Sequence, residues 1–215
     1  MTNNFAFPEW LEQLSSGLAK MDIQLPAEQQ QLLLDFLALL NKWNKAFNLT
    51  AIRDPKIMVS RQLLDSLSIH ELIQPFSNLL DVGTGPGLPG IPLAICNPEK
   101  SFTLIDSNGK KTRFVQQAIN ELGLGNVQVH NQRVEQLAND ELFDCITSRA
   151  FASVEDMING TDHLLAKDGH WMAMKSHLEE AERKAIPENI TFTGHELNVP
   201  GEVAKRQVLD IQRCH

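Results

Sequence analysis

The chain has 215 residues, a formal net charge of -8, 42% hydrophobic residues and three cysteines. This length suits one α/β domain with a modest extension. The acidic balance excludes a protein that coats nucleic acid by bulk electrostatics, which needs clustered Lys and Arg. No apolar run approaches the roughly 20 residues of a membrane helix, and Met1 to Trp10 has neither the basic nor the apolar segment of a signal peptide. Cys96, Cys145 and Cys214 are widely spaced and form no C-x-x-C pair. A cytoplasmic chain with reduced thiols, no disulfide framework and no zinc site is expected.

Pro26 opens a stretch in which Leu32, Leu33, Phe36, Leu37, Leu40, Trp43 and Phe47 recur at helical spacing. They predict a long amphipathic helix ending near Asn48, with Trp43 and Phe47 packing it onto the core. Asp54-Pro55 supplies an N-cap and a proline at the first helical position, and apolar residues at mixed three and four spacing continue from Ile57 to Leu72. Residues 1–75 therefore read as a helical cap, closed by Pro75, and residues 76–215 as the cofactor-binding domain, together one compact unit.

Leu79 to Val82 is a short apolar strand ending in an acid, Asp81, and followed by glycines at 83, 85, 87 and 90. Glycines crowd a strand-to-helix turn when its backbone takes positive φ or lies against a ligand. The dinucleotide fingerprint G-x-G-x-x-G, counted from Gly83, would need a third glycine where Leu88 stands. The G-x-G-x-G turn favours S-adenosylmethionine, which carries a carboxylate, an ammonium and a sulfonium but no phosphate. Gly83, Gly85, Gly87 and Leu88 are its candidate contacts.

Beyond the turn, strands and helices alternate: a helix from Gly90, a strand over Phe102 to Ile105, a helix from Lys110 to Leu122, strands over Val127 to His130 and Phe143 to Thr147, a helix through Met157 to Leu165, and a strand over Trp171 to Lys175. This order predicts a doubly wound parallel sheet. Thr191 to Leu197 and Gln207 to Gln212 would add a final antiparallel pair. Asp106 ends the second strand about 20 residues past the glycine turn, where an acid accepts hydrogen bonds from both ribose hydroxyls; capping of the next helix is its alternative role. After the third strand, Val134 is placed to pack a purine and Glu135 to stand at a helix start. The fourth strand delivers Ser148-Arg149-Ala150-Phe151 to the carboxyl edge of the sheet. Neither an Asp/Asn-Pro-Pro-aromatic tetrapeptide nor a cysteine nucleophile follows it, and Cys145 lies inside the strand as a buried thiol. His163, His170 and His177 recur every seven residues but cross from helix to strand, so no metal site is expected.

Lys42-Trp43-Asn44-Lys45-Ala46-Phe47-Asn48-Leu49-Thr50, Leu64-Asp65-Ser66-Leu67, the turn from Asp81 to Pro92, Asp106-Ser107 and Ser148-Arg149-Ala150-Phe151-Ala152 occur in this order. Together they resemble the small-subunit ribosomal RNA guanine-N7 methyltransferases, also called glucose-inhibited division protein B, from about Gln24 to Gln212. The resemblance implies a Rossmann-like class I S-adenosylmethionine-dependent methyltransferase fold with an N-terminal helical cap. The implied target is N7 of a guanine in 16S rRNA, guanine 527, near the decoding centre. Gly83, Leu88, Val134, Glu135 and Arg149 are its implied cofactor contacts, to which the physical argument adds Gly85, Gly87 and Asp106. Guanine N7 carries an in-plane lone pair and loses no proton on attack. No general base is therefore expected, and Arg149 is the expected positioning residue, anchoring the methionine end of the donor or an RNA phosphate. Lys42, Arg53, Arg61, Lys110, Lys175 and Arg206 are candidate RNA contacts, although each taken alone reads as part of a solvated face. Ser176 stands where family members commonly have glycine. The expected partner is 16S rRNA or the small ribosomal subunit, met by a monomer without metal or membrane. A small-molecule methyltransferase using the cap as a lid and a non-enzymatic RNA-binding module are the alternatives.

Overall fold

The computed structural model describes residues 8–138, 141–149, 151, 153–184 and 186–214. Met1 to Phe7 of the leader reading, Ala150 and Ala152 of the Ser148 to Ala152 segment, and His215 lie outside the described residues. Seven strands form one sheet in the order β3-β2-β1-β4-β5-β7-β6. β1 (Asn78–Val82), β2 (Ser101–Ile105), β3 (Val127–His130), β4 (Phe143–Ser148) and β5 (Leu165–Lys175) run parallel. β7 (Arg206–Arg213) is antiparallel to both β5 and β6 (Ile190–Leu197), between which it is inserted.

Successive strand residues enter different apolar clusters. Leu79 joins the cluster shared with the N-terminal helices, and Leu80 the cluster on the opposite face. A parallel sheet covered on both sides needs such continuous apolar runs. The alternation breaks once: Phe143 packs with Leu80 and Cys145 with Leu79, although the two lie on the same strand two residues apart. The break coincides with a register shift against β5, where β4 advances from Phe143 to Cys145 while β5 advances from Leu165 to His170.

On the first face lie α1 (Pro8–Lys20) and α2 (Ala27–Phe47), then α3 (Pro55–Met58), a π-helical turn over Val59–Leu64, α4 (Asp65–Leu67), α5 (Gly90–Cys96) and α6 (Gly109–Leu122). Phe114 of α6 is fully buried, with the Trp43 ring 5.7 Å and the Phe36 ring 6.1 Å from its own. These rings join α2 to α6, so the helical region and the sheet share one core. Phe47 stacks on Trp43 but stays 47% exposed. α7 (Val154–Thr161) covers the other face through Val154, Met157 and Ile158, and α8 (Glu180–Lys184) follows β5.

The observed element boundaries differ from the expected ones in identifiable ways. Asn48 does end α2, in the left-handed region at φ 52°. The helix read from Ile57 to Leu72 stops at Leu67, where the Ser68 hydroxyl and N–H both bond to the Asp65 carbonyl. β5 begins at Leu165, well before Trp171, because Leu165 already pairs with Phe143 and the register shift carries the pairing past Asp168-Gly169. The segment after β3 makes only a 3₁₀ turn, Val134–Gln136. Helices α1 and α8 carry no separate signal in the reading above. No helix among the described residues is long and apolar enough to cross a membrane.

Candidate active site

The five parallel strands deliver their carboxyl ends to one edge, and the functional candidates gather there. At the end of β1 the backbone takes φ 66° at Gly83, 60° at Gly85 and 87° at Gly87, the left-handed region that glycine enters without strain. The turn needs glycine at position 87 for a second reason: a Cβ there would lie 2.6 Å from Ile91 Cγ1. The turn is stitched by its own amides. Gly83 and Thr84 donate to the Ile105 carbonyl, and Gly87 and Leu88 donate to the Thr84 carbonyl. Asp81 is buried beneath it, its Oδ2 accepting from the Thr84 hydroxyl at 2.6 Å and from the Gly90 N–H at 2.9 Å. Its Oδ1 is buried without a partner among the described residues. Burial pushes the Asp81 carboxyl up to about 7, against the lowering effect of those two hydrogen bonds.

Asp106 faces the turn from the end of β2. Its Oδ2 accepts the Gly85 N–H at 2.9 Å and its Oδ1 the Asn108 N–H at 2.7 Å. Each oxygen retains acceptor capacity, since a carboxylate oxygen takes two hydrogen bonds. Capping of α6 falls to Asn108, which accepts from the Lys110 N–H, and not to Asp106. Gly83, Asp106, Val134 and Glu135 line one cavity of about 220 Å³, together with Ile105, Ser107, Gln132, Arg133 and Phe151. Gly85, Gly87 and Leu88 do not line it: Gly85 sits behind Asp106, and the Leu88 side chain is buried in the core.

A second cavity, of about 440 Å³, opens beside the first, and Phe151 belongs to both walls. Arg61, Arg149, Lys175 and Arg206 line it, with Asp65 as its one acid, alongside Ser176 and His177. The structure thus brings together three of the six candidate RNA contacts, Arg61, Lys175 and Arg206, with Arg149, expected to anchor the donor or an RNA phosphate, beside them. Lys42, Arg53 and Lys110 are exposed and line neither cavity; Arg53 donates to Asn48 Oδ1 at 2.7 Å. Asp65 Oδ2 lies 3.0 Å from Arg149 Nη1, and Asp65 Oδ1 lies 3.0 Å from Arg206 Nε. The first contact is an aligned hydrogen bond. The second is a charge contact in which Arg206 Nε makes no aligned bond. Outside the ring, Glu202 holds Arg61 Nε at 2.7 Å, and Glu182 holds Lys175 while also accepting the Val154 N–H.

Asp65 and Phe151 are the residues that motif reading left without a role. An acid four residues after Arg61 on an otherwise apolar helical stretch was the available signal for Asp65. For Phe151 it was an aromatic at a strand's carboxyl end. Cys145 is buried within β4, where burial raises its thiol well above the ordinary value, and all three cysteines are free. His170 contacts Asp210 at 2.7 Å, and among the described residues no group of three His, Cys, Asp or Glu stands close enough to hold a metal ion.

Residues 29–209 match the family model described as rRNA small subunit methyltransferase G. A protein of that name from Marinobacter nauticus is 53% identical over 210 residues, covering 97% of this chain and 98% of the relative. One from Shewanella oneidensis is 47% identical over 200 residues, covering 93% and 97%. Among solved structures, a ribosomal protein L11 methylase from Lactobacillus delbrueckii subsp. bulgaricus superposes with a TM-score of 0.55 at 19% identity, covering 71% of this chain and 77% of its own. The N-methyltransferase NodS from Bradyrhizobium japonicum gives 0.54 at 19% identity, covering 76% and 99%. These two share the fold, a Rossmann-like methyltransferase sheet.

Proposed function

This chain belongs to the rRNA small subunit methyltransferase G family, and from that premise we propose that it transfers a methyl group from S-adenosylmethionine to N7 of guanine 527 in 16S rRNA. Membership of the family carries the methyltransferase and rRNA part of this reading. The observation that supports a site for it is the pair of cavities meeting at Phe151, one lined by the glycine turn and Asp106, the other cationic.

The residues of the smaller cavity fit the nucleoside half of the donor. Asp106 has spare acceptor capacity for two ribose hydroxyls, the 3₁₀ turn offers the Val134 side chain as an apolar wall for adenine, and Glu135 lies on the rim. About 220 Å³ is below the 300–1,000 Å³ usual for a whole small-molecule site, so residues beyond this cavity would have to hold the remainder of the donor. When bound, S-adenosylmethionine supplies an electrophilic methyl group on a positively charged sulfur. Gly83, with no side chain, would let the backbone approach the donor, and Gly85 supports the site indirectly by donating its N–H to Asp106. The cationic cavity takes the RNA: Arg149, Arg61, Lys175 and Arg206 meet phosphates, and Phe151 lies against the base that reaches the boundary. Guanine N7 attacks through its lone pair, so the protein needs no base and contributes orientation. Positive charge moves from sulfur to purine without being created, which lessens the demand for a nearby carboxylate.

Mass spectrometry of 16S rRNA from cells with and without this protein tests the reading. One 7-methylguanine is expected to vanish at position 527 when the protein is removed and to return when purified protein and S-adenosylmethionine are added to the unmethylated small subunit. An unchanged nucleoside profile would sink it.

A further inference from the structure

The larger cavity holds more positive charge than a chain of net charge -8 would gather by chance, and one buried carboxylate organises it. The Asp65 side chain is 4% exposed, whereas those of Arg149 and Arg206 are 27% and 31% exposed. An isolated carboxylate so placed would be costly to desolvate, and two guanidiniums offset that cost. Each carboxylate oxygen contacts a different arginine, one from the end of β4 and the other from the start of β7. Arg149 spends Nη1 on Asp65 and on the Arg61 carbonyl, and Arg206 spends Nε on Asp65. Among the described residues, nothing bonds to Arg149 Nε and Nη2 or to Arg206 Nη1 and Nη2. The trio therefore carries one net positive charge and keeps two unspent donor pairs on arginines that both line the cavity. Paired N–H donors of a guanidinium match the oxygens of a phosphate.

Resting on the functional reading above, we infer that Asp65 is a positioning residue: it holds Arg149 and Arg206 apart at a fixed spacing so that their outward donors grip one RNA phosphodiester, which seats the neighbouring purine against Phe151. Asp65 itself touches neither RNA nor donor. The two grips differ in stiffness. Arg149 is fixed by an aligned hydrogen bond, and Arg206 is held only by charge, leaving it the arm that adjusts to the phosphate.

The experiment is a double-mutant cycle of Asp65→Asn against the pair Arg149→Met with Arg206→Met, assayed on unmethylated small subunits, with donor affinity measured separately by calorimetry. Asp65→Asn is expected to raise KM for the RNA substrate at least about tenfold, with the donor Kd changed less than twofold. In the arginine-less background the same substitution is expected to change KM no further, because the residues through which it acts are gone. A purely structural carboxylate would instead add its loss in both backgrounds. If Asp65→Asn alone does not fold, the triple variant removes the opposed charges together and carries the test: a KM equal to that of the arginine pair supports the inference. An unchanged KM in Asp65→Asn, or a further loss in the triple variant, overturns it. A wild-type protein that transfers no methyl to rRNA overturns the functional reading and this inference with it, a result distinct from an active wild type with an indifferent Asp65.

Discussion

Asp81 shows what a single residue at the turn costs and supplies. Its Oδ2 ties Thr84 to Gly90 across the glycine loop, while Oδ1 has no partner among the described residues, and burial lifts the carboxyl from 3.8 to about 7. Between those two values the folded protein holds a proton that the unfolded chain releases. By linkage, stability falls as pH rises through that window, and the full penalty is present above about pH 7. Asp81→Asn keeps an oxygen to accept both hydrogen bonds and has no charge to bury. It is expected to flatten the decline in thermal stability between pH 4 and 7 and to exceed the wild type by up to about 4 kcal/mol above pH 7. Thermal unfolding of both proteins across that range checks it; parallel pH profiles would rule out Asp81 as the source.

Among the elements, α2 and α6 meet through Phe36, Trp43 and Phe114. Because that contact lies inside the core shared with the sheet, the N-terminal helices are expected to unfold with the rest of the chain. Phe114→Ala should cost about 3–5 kcal/mol while leaving one transition in chemical denaturation followed by tryptophan fluorescence and circular dichroism. Two separated transitions would mean that the cap folds by itself. Periodicity made α2 legible, and glycine spacing made the turn legible, because both signals lie within a few consecutive residues. The same holds for Asp106 at the end of an apolar strand. The ring around Asp65 was not legible: residues 61, 65, 149 and 206 come from three regions of the chain, and each alone looks like a solvated charge or a helix acid. Motif position put Arg149 at a strand end, where it was read as anchoring the donor or an RNA phosphate, but could not show its contact with Asp65 from a distant segment. The boundary of β5 escaped for a related reason, since Asp168-Gly169 looks like a turn until the register shift against β4 is known.

For the whole molecule, charge distribution matters more than charge total. Four cations and one acid line the larger cavity, three net positive charges on a chain of net charge -8. On the proposed function, the acidic balance of the whole chain leaves this opening as the place where RNA phosphates are met. Affinity for a single-stranded 16S rRNA fragment is then expected to fall with salt on a log–log slope of roughly -2, the value for about three neutralised phosphates, while donor affinity stays nearly constant. A filter-binding titration from low to moderate salt measures it, and a flat line would mean that these side chains do not meet phosphates.

The insertion of β7 between β5 and β6 has a consequence in time. On the ribosome β6 is made first, yet it can dock only through a partner that has not been translated. Until that late segment emerges, the far margin of β5 stays bare and Arg206 is missing from the rim of the larger cavity. A nascent protein therefore completes its larger cavity only once β7 has been made, and a product stopped after β6 would retain the glycine loop while lacking Arg206.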